Sequence, residues 1–246
     1  MPQRILGVIP ARFASVRFPG KALATLAGKP LIQHVYERAK QARYLSEVII
    51  ATDDERIAQA AQQFRAPVRL TRPDHPSGTD RVAEVASADS ASIVVNIQGD
   101  EPLIDPGAID AATLALLDDT HAPMATLKKR IEHPSEIQNP NVVKVVTALD
   151  GDAIYFSRWP IPYDRGHEAV HYKHVGLYVY RRDFLLGYSQ LPVGPLEKAE
   201  RLEQLRAIEN GFRIRVMETD YESLGVDTPE DLEAVSKLFA SVIPNP

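Results

Sequence analysis

Continuous apolar runs alternate with amphipathic helical patterns through the first half of the chain, and this alternation restricts the fold more than any other feature. Residues 5–10, 47–53 and 92–97 have the apolar character of strands buried in a parallel sheet, and residues 67–71 favour a short further strand. Between them, Leu31, Val35 and Ala39 recur at helical spacing, and residues 54–64 and 80–88 also favour helices. This order predicts an α/β fold with a doubly wound, mostly parallel sheet.

The pattern changes past residue 120, where strands are predicted at 142–147, 153–157 and 174–180, some of them antiparallel. The proline-rich stretch 159–163 and the polar residues up to Val170 favour a loop or lid. Residues 196–210 have helical periodicity, with Gly211 as the C-cap residue. Thr228 is expected to cap a last helix that has Pro229 in its first turn.

Charge and composition exclude several classes of protein. The 28 basic and 33 acidic residues give a net charge of −5, which disfavours nucleic-acid binding. The sequence contains no cysteine, so disulfides, thiol nucleophiles and thiolate metal sites are excluded and a reducing cytoplasm is expected. The apolar stretch at the N-terminus is too short for a signal sequence or membrane insertion.

A cationic loop follows the first predicted strand. Arg12, Arg17 and Lys21 fall within ten residues after Pro10 and Ala11, at the strand end where open α/β sheets bind ligands. Three cations and a run of backbone N–H groups suit a nucleoside triphosphate. Neither GxxxxGK[ST] nor GxGxxG is present. The alternative is a solvated basic loop without a ligand.

Two further motifs carry carboxylates. Asp100, in the segment QGDEP after the predicted strand 92–97, is placed to bind magnesium, although an ordinary turn would explain the same residues. Asp227, in GVDTP, is a second candidate, and its alternative is a helix N-terminal residue without a function.

Together these segments resemble the Kdo (3-deoxy-manno-octulosonate) cytidylyltransferases, a branch of the nucleotide-sugar cytidylyltransferase family. The resemblance extends over almost the whole chain and implies a Rossmann-like nucleotide-diphospho-sugar transferase fold with a small inserted lobe. The matching motifs, in order, are IPARFASVRFPGKAL, GKPLIQHVYERA, ATDDERIA, TRPDHPSGTDRVAE, VNIQGDEPLI, NPNVVKVV, YFSRWPIPYDR, KHVGLYVYRRDFL, LEKAERLEQLR and GVDTPEDLE.

The resemblance implies that CTP and Kdo react to give CMP-Kdo and pyrophosphate, which activates Kdo for lipopolysaccharide biosynthesis. Such a displacement depends on positioning and on charge neutralisation. Arg12 and Lys21 would contact the phosphates with Arg17 as a third cation, and Asp100 and Asp227 would hold Mg²⁺. The catalytic candidates are therefore Arg12, Lys21, Asp100 and Asp227.

The resemblance also assigns substrate-binding residues. Around the nucleotide it implies Pro10, Ala11, Arg12, Arg17, Lys21, Arg72, Ser77, Gly78, Thr79 and Gln98, although the Ser-Gly-Thr turn is also explained as the start of a helix. Around the sugar it implies Gln98, Arg158, His174, Tyr178 and Glu200. Arg158 and His174 would meet the carboxylate of the acid sugar, whereas a structural histidine in a strand is the alternative for His174. Tyr178, four residues further along the same strand, shares its face.

The resulting prediction is a single nucleotidyltransferase domain over 1–246 and a homodimer. Its nucleotide-binding half covers about 1–120, its acceptor-binding and dimerisation part about 121–225, and its closing segment 226–246. The alternatives are another acceptor (8-amino-Kdo, sialic acid or methylerythritol phosphate) and a non-catalytic nucleotide-binding protein. The four intact catalytic candidates disfavour the last of these.

Overall fold

The computed structural model describes residues 3–15 and 17–242, with the backbone alone at 240–242. Val16, within the predicted phosphate loop, lies outside the described residues. In chain order the elements are β1 (Ile5–Ala11), a 3₁₀ helix (Lys21–Leu23), β2 (Thr25–Leu26), β3 (Lys29–Pro30), α1 (Leu31–Ala39), β4 (Glu47–Thr52), α2 (Glu55–Gln63), β5 (Val68–Leu70), α3 (Gly78–Ser87), β6 (Ile93–Asn96), α4 (Pro106–Asp118), β7 (Met124–Arg130), α5 (Pro134–Gln138), β8 (Lys144–Thr147), β9 (Ala153–Ser157), β10 (Tyr172–Arg181), α6 (Arg182–Tyr188), α7 (Pro195–Glu200), α8 (Leu205–Glu209), β11 (Ile214–Glu218) and α9 (Pro229–Val242).

The chain divides into two compact units. The first unit comprises the residues up to Ile109 together with those from Ser223 onward, and the second comprises Asp110–Glu222. The second unit is therefore an insertion in the sequence of the first. Among the described residues, no helix is both long and apolar enough to span a membrane.

The first unit is built on parallel strands. β1 pairs in parallel with β4 on one side and with β6 on the other, and β5 pairs in parallel with β4. Leu6, Ile9, Ile50 and Ile93 in these strands are fully buried, as the apolar runs predict. Because the strands are parallel, their carboxyl ends lie at one edge of the sheet, and the segments that follow β1 and β6 emerge side by side.

The second unit has mixed strand pairing. β7 pairs antiparallel with β10 and parallel with β11, while β8 pairs antiparallel with both β10 and β9. The α/β class, with parallel pairing in the first unit and mixed pairing in the second, is thus confirmed.

The predicted continuous helix over 196–210 is wrong. Two short helices, α7 and α8, occupy this region, separated by Arg201 at φ 53° and ψ 47° in the left-handed conformation. The Glu209 carboxylate accepts hydrogen bonds from the backbone N–H groups of Leu196 (2.8 Å) and Glu197 (2.9 Å), so α8 folds back onto the start of α7. In one straight helix these residues would be separated by about 18 Å.

Leu202 and Leu205 are buried although the helix is interrupted between α7 and α8. Their spacing therefore fits both arrangements, and local periodicity could not distinguish them.

The sequence analysis does not predict the strands β7 and β11. In β11, the buried Ile214 and Val216 alternate with the half-buried Arg215 and the exposed Met217, so period-two alternation was a usable signal. β7 lacks that signal because its first residues, Met124–Leu127, are all buried and its last residues are basic. Its assignment as a strand depends on its two neighbours, β10 and β11.

Candidate functional site

The cationic loop leaves the end of β1 in a closed conformation. The backbone N–H of Gly20 donates to the carbonyl of Phe13 (2.9 Å), which brings the two ends of the loop together. Gly20 has φ +73°, and a Cβ there would lie 2.9 Å from the Phe13 ring, so glycine is required by both conformation and space. The guanidinium of Arg56, from α2, lies 3.3 Å from the centre of the same ring. Lys21 follows immediately and begins the 3₁₀ helix.

The segment after β6 lies against the end of β1 because Gly99 has no side chain. A Cβ on Gly99 would lie 2.6 Å from the carbonyl oxygen of Pro10, closer than any real contact. The N–H of Ile97 donates to the carbonyl of Val8 (2.9 Å), which extends the β1–β6 pairing up to this point. Asp100 is thereby held beside the cationic loop.

The closing segment brings a second carboxylate to the same place. The N–H of Val226 donates to the carbonyl of Asp100 (2.8 Å), and Asp227 is the next residue. The Asp231 carboxylate accepts from the N–H groups of Asp227 (3.0 Å) and Thr228 (2.9 Å), while the N–H of Asp231 donates to the Thr228 hydroxyl (3.2 Å). This reciprocal cap fixes the start of α9, and with it the backbone that carries Asp227.

These capping bonds also set the ionisation of Asp231. Burial raises the pKa of its carboxyl, but the backbone N–H groups of Asp227 and Thr228 outweigh that effect, so the pKa lies below its usual value. The cap therefore stays ionised near neutral pH.

Lys21 joins the two carboxylates. Its Nζ lies 2.7 Å from Oδ2 of Asp100 and 3.0 Å from Oδ1 of Asp227, and Arg17 contacts the other oxygen of Asp227 at 2.8 Å. Burial lowers the pKa of Lys21, but the charges and hydrogen bonds of the two aspartates outweigh it, so the pKa is raised overall. Oxygens from two distant segments thus converge on one cationic position.

A cleft of about 400 Å³ lies over this network. Most of the predicted nucleotide and metal residues line it, namely Pro10, Ala11, Arg12, Arg17, Lys21, Ser77, Gly78, Gln98, Asp100 and Asp227. Two predicted residues are not part of the lining. Arg72 is exposed and lies 3.6 Å from Asp74, and Thr79 is buried in the first turn of α3.

Several residues that line the cleft were not predicted from the sequence: Ala14, Ser15, Ala22, His75, Arg81 and Gly99. His75 contacts the carboxylate of Glu84. Arg81 is buried, donates to the hydroxyl of Thr71 (2.5 Å) and lies 3.4 Å from the Asp53 carboxylate. A signal existed for Arg81, since it lies four residues after Ser77 in a helical segment and therefore on the same helix face.

The predicted sugar-binding residues other than Gln98 belong to the second unit. His174 and Tyr178 lie in the same burial phase of β10, as predicted. Their rings are 5.4 Å apart, much closer than the roughly 13 Å of a regular strand, because the pairing of β10 with β7 is irregular between Val175 and Val179. His174 Nε2 lies 2.9 Å from the hydroxyl of Thr126. Burial lowers the pKa of His174 to about 3 and raises that of Tyr178 well above its usual value, so both are neutral near pH 7. Arg158 and Glu200 contact each other: the Arg158 N–H donates to Oε2 of Glu200 (2.8 Å).

The acidic residues at 197–203 do not form the edge of one helix. Glu197 is buried and pairs with Arg206 (2.6 Å), Glu200 accepts from the Ser157 hydroxyl (2.7 Å), and Glu203 lies between α7 and α8. The assignment of Glu200 to the sugar site stays a prediction.

Parallel strands, with a cationic loop and two converging carboxylates beyond their carboxyl ends, form a site suited to the triphosphate substrate of a nucleotidyltransferase. A profile of the cytidylyltransferase family matches residues 6–216. The 3-deoxy-manno-octulosonate cytidylyltransferase of Solibacter usitatus (strain Ellin6076) is 70% identical over 99% of this chain and 97% of its own length. The enzyme of that name from Geobacter sulfurreducens is 57% identical over 94% of this chain and 97% of its own length. The chain belongs to the 3-deoxy-manno-octulosonate cytidylyltransferase family.

Two solved structures are similar to this chain over almost its whole length. A CMP:2-keto-3-deoxy-manno-octonic acid synthetase complexed with CTP matches 98% of this chain and 100% of its own, with 48% identity and a TM-score of 0.95. A 4-diphosphocytidyl-2C-methyl-D-erythritol synthase from Anaerococcus prevotii has a TM-score of 0.65 at 12% identity, covering 97% of this chain and 99% of its own, and shares the fold alone. The predicted family and fold are confirmed.

Proposed function

We propose that this chain transfers CMP from CTP to Kdo, releasing pyrophosphate and supplying an activated sugar for lipopolysaccharide biosynthesis. The observation that carries the proposal is the 70% identity, over 99% of the chain, to a protein named for this activity. The cleft supports it, since its lining combines cations for a triphosphate with two carboxylates.

The cations would bind and orient the triphosphate. Arg12 and Arg17 are exposed at the cleft, and Lys21 is held in place by two ion pairs. Pro10, Ala11, Ser77 and Gly78 also line the cleft, where they would contact the nucleoside. Because the reaction is a displacement at phosphorus without a protein nucleophile, fixed positive charge is the main contribution of these residues.

Asp100 and Asp227 fit a magnesium ion. Their oxygens, Oδ2 and Oδ1, both accept from the Lys21 ammonium within 3.0 Å, and this convergence of two carboxylates on one cation supports the proposal. Magnesium sites commonly use one or two carboxylates together with phosphate oxygens and water, and among the described residues there is no cluster of three or more potential ligands. Bound magnesium would polarise the phosphate and lower the pKa of the attacking hydroxyl.

The acceptor proposal rests on the second unit. Arg158 would meet the carboxylate of Kdo, while His174 and Tyr178 would offer neutral hydrogen-bonding groups, because burial keeps both uncharged near pH 7. A homodimer is proposed on the resemblance alone, and sedimentation velocity would test it. The cytoplasmic location stays a prediction from the sequence.

A pyrophosphate-release assay tests the function. The purified chain is given each of the four ribonucleoside triphosphates with magnesium and a panel of Kdo, 8-amino-Kdo and sialic acid. We expect pyrophosphate from CTP with Kdo. Turnover of sialic acid without turnover of Kdo would overturn the acceptor assignment, and no turnover with any pair would favour a non-catalytic nucleotide-binding protein.

A further inference from the structure

Lys144, at the start of β8, is a fully buried lysine with 0% of its surface exposed. Its ammonium donates to three backbone carbonyls, those of Asn139 (2.9 Å), Val142 (2.6 Å) and Arg158 (2.6 Å). An ammonium carries three N–H groups, so these bonds use its whole donor capacity. Lys144 therefore has no N–H left with which to bind a ligand directly.

Arg158 is held by more than this bond. Its N–H donates to Oε2 of Glu200 (2.8 Å), its Nε donates to the Glu200 carbonyl (2.8 Å), and its Nη1 donates to the carbonyl of Pro140 (3.0 Å). Lys144 binds the Arg158 carbonyl directly. It also binds the carbonyls of Asn139 and Val142, which flank the Pro140 that accepts from the Arg158 guanidinium. Removing the ammonium would release the Arg158 backbone and the segment 139–142 together.

Glu200 completes the arrangement from α7. Its Oε1 accepts from the Ser157 hydroxyl (2.7 Å) and its Oε2 from the Arg158 N–H, so both oxygens are used in orienting the end of β9. Burial lowers the pKa of Lys144, while the charge of Glu200 opposes that effect and the charge of Arg158 adds to it. The contact between Lys144 and Arg158 is the hydrogen bond to the Arg158 carbonyl (2.6 Å), so the buried ammonium acts on the arginine through its backbone.

We propose that Lys144 is a positioning residue that fixes Arg158 for the carboxylate of the acid-sugar acceptor. The inference rests on the proposed function. A buried ammonium is costly unless it is fully hydrogen-bonded, and a well-packed apolar side chain often stabilises a fold equally well. A charge at this position is explained by its bond to the Arg158 carbonyl and by its two bonds to segment 139–142, whose Pro140 carbonyl accepts from the Arg158 guanidinium.

A double-mutant cycle tests the proposal with the full-length chain. Steady-state kinetics are measured for the wild type, Lys144→Met, Arg158→Ala and the double variant, with Kdo and CTP varied separately. We expect Lys144→Met to raise KM for Kdo about tenfold and to change KM for CTP less than about twofold. In the Arg158→Ala background the same change should have almost no further effect on KM for Kdo.

Lys173→Met is the matched control. Lys173 faces Lys144 in the β10–β8 register and is nearly as buried, but its ammonium pairs with the carboxylates of Glu136 and Glu222. We expect this variant to unfold at a lower temperature while keeping the wild-type KM for Kdo. If Lys144→Met does not fold, Lys144→Gln, which retains two N–H donors, replaces it in the cycle with a smaller expected shift and the same dependence on Arg158.

The positioning role would be overturned if Lys144→Met raised KM for Kdo by the same factor in the wild-type and Arg158→Ala backgrounds. It would also be overturned if Lys144→Met raised KM for Kdo and KM for CTP equally. These outcomes require an active wild type, which distinguishes them from failure of the proposed function. A wild type without turnover of CTP and Kdo would overturn both proposals.

Discussion

The backbone N–H of Val226 donates to the carbonyl of Asp100 across 2.8 Å, joining the segment after β6 to the segment before α9. This bond places Asp227 opposite Asp100, with Lys21 between them. The two carboxylates are far apart in the sequence, and their meeting depends on this contact.

Replacing Asp100 or Asp227 with Asn should lower turnover by about two to three orders of magnitude, because one charged metal ligand is lost. Initial rates of pyrophosphate release at several magnesium concentrations measure the effect. Glu233→Gln, the same loss of carboxylate charge at an exposed site of the first unit, is the control and should behave as the wild type. Near-normal rates in both active-site variants would remove the metal assignment.

Replacing Lys21 with Ala should weaken CTP binding and turnover more than Kdo binding. The variant loses a phosphate contact and leaves two carboxylates facing each other without their shared cation. Isothermal titration with CTP measures the affinity. Lys29→Ala, which removes an exposed lysine paired with Glu37, provides the control. Unchanged CTP affinity together with an unchanged rate would exclude Lys21 from the site.

Gly99→Ala should raise KM for CTP by about tenfold and lower stability by about 1–3 kcal/mol, because the new Cβ would overlap the Pro10 carbonyl and force two backbone segments apart. Thermal unfolding and CTP kinetics are measured together. Gly187→Ala, in α6, has open space around the added carbon and should be neutral or slightly stabilising. If both alanine variants behaved alike, the close approach at Gly99 would have no functional meaning.

His174 should make the protein less stable in acid. Its folded pKa of about 3 lies below the unfolded value near 6.5, so its contribution is complete above pH 6.5 and is lost as the pH falls from 6.5 towards 3. At pH 5 the loss attributable to His174 is about 2 kcal/mol. Urea unfolding of the wild type and His174→Gln at pH 5 and pH 8 measures it.

We expect the free energy of unfolding to fall less between pH 8 and pH 5 in His174→Gln than in the wild type. An equal pH dependence in the two proteins would show that His174 is not buried in its neutral form.

The first unit was predictable because its signals are local. A strand buried on both faces is apolar throughout, so β1, β4 and β6 follow from composition along the chain. The cap of α9 at Thr228 was predictable for the same reason, since a cap involves residues only a few positions apart.

The second unit was predicted less well. The break between α7 and α8 is set by Glu209, whose carboxylate binds N–H groups twelve or more positions earlier. β7 needs its neighbours β10 and β11 to be recognised as a strand. Neither relationship produces a periodic pattern of residues in the sequence.

The sequence by itself determined the α/β class, the family and the charged groups of the site, because apolar runs and motif residues are read in order along one chain. The tertiary structure alone decided which groups meet: Lys21 with Asp100 and Asp227, His75 with Glu84, and Lys144 with the Arg158 carbonyl. The physical reason is that hydrogen bonds and ion pairs act over about 3 Å in space, whatever the separation in sequence. A sequence pattern can propose a cation or a carboxylate, but only packing brings it to a partner.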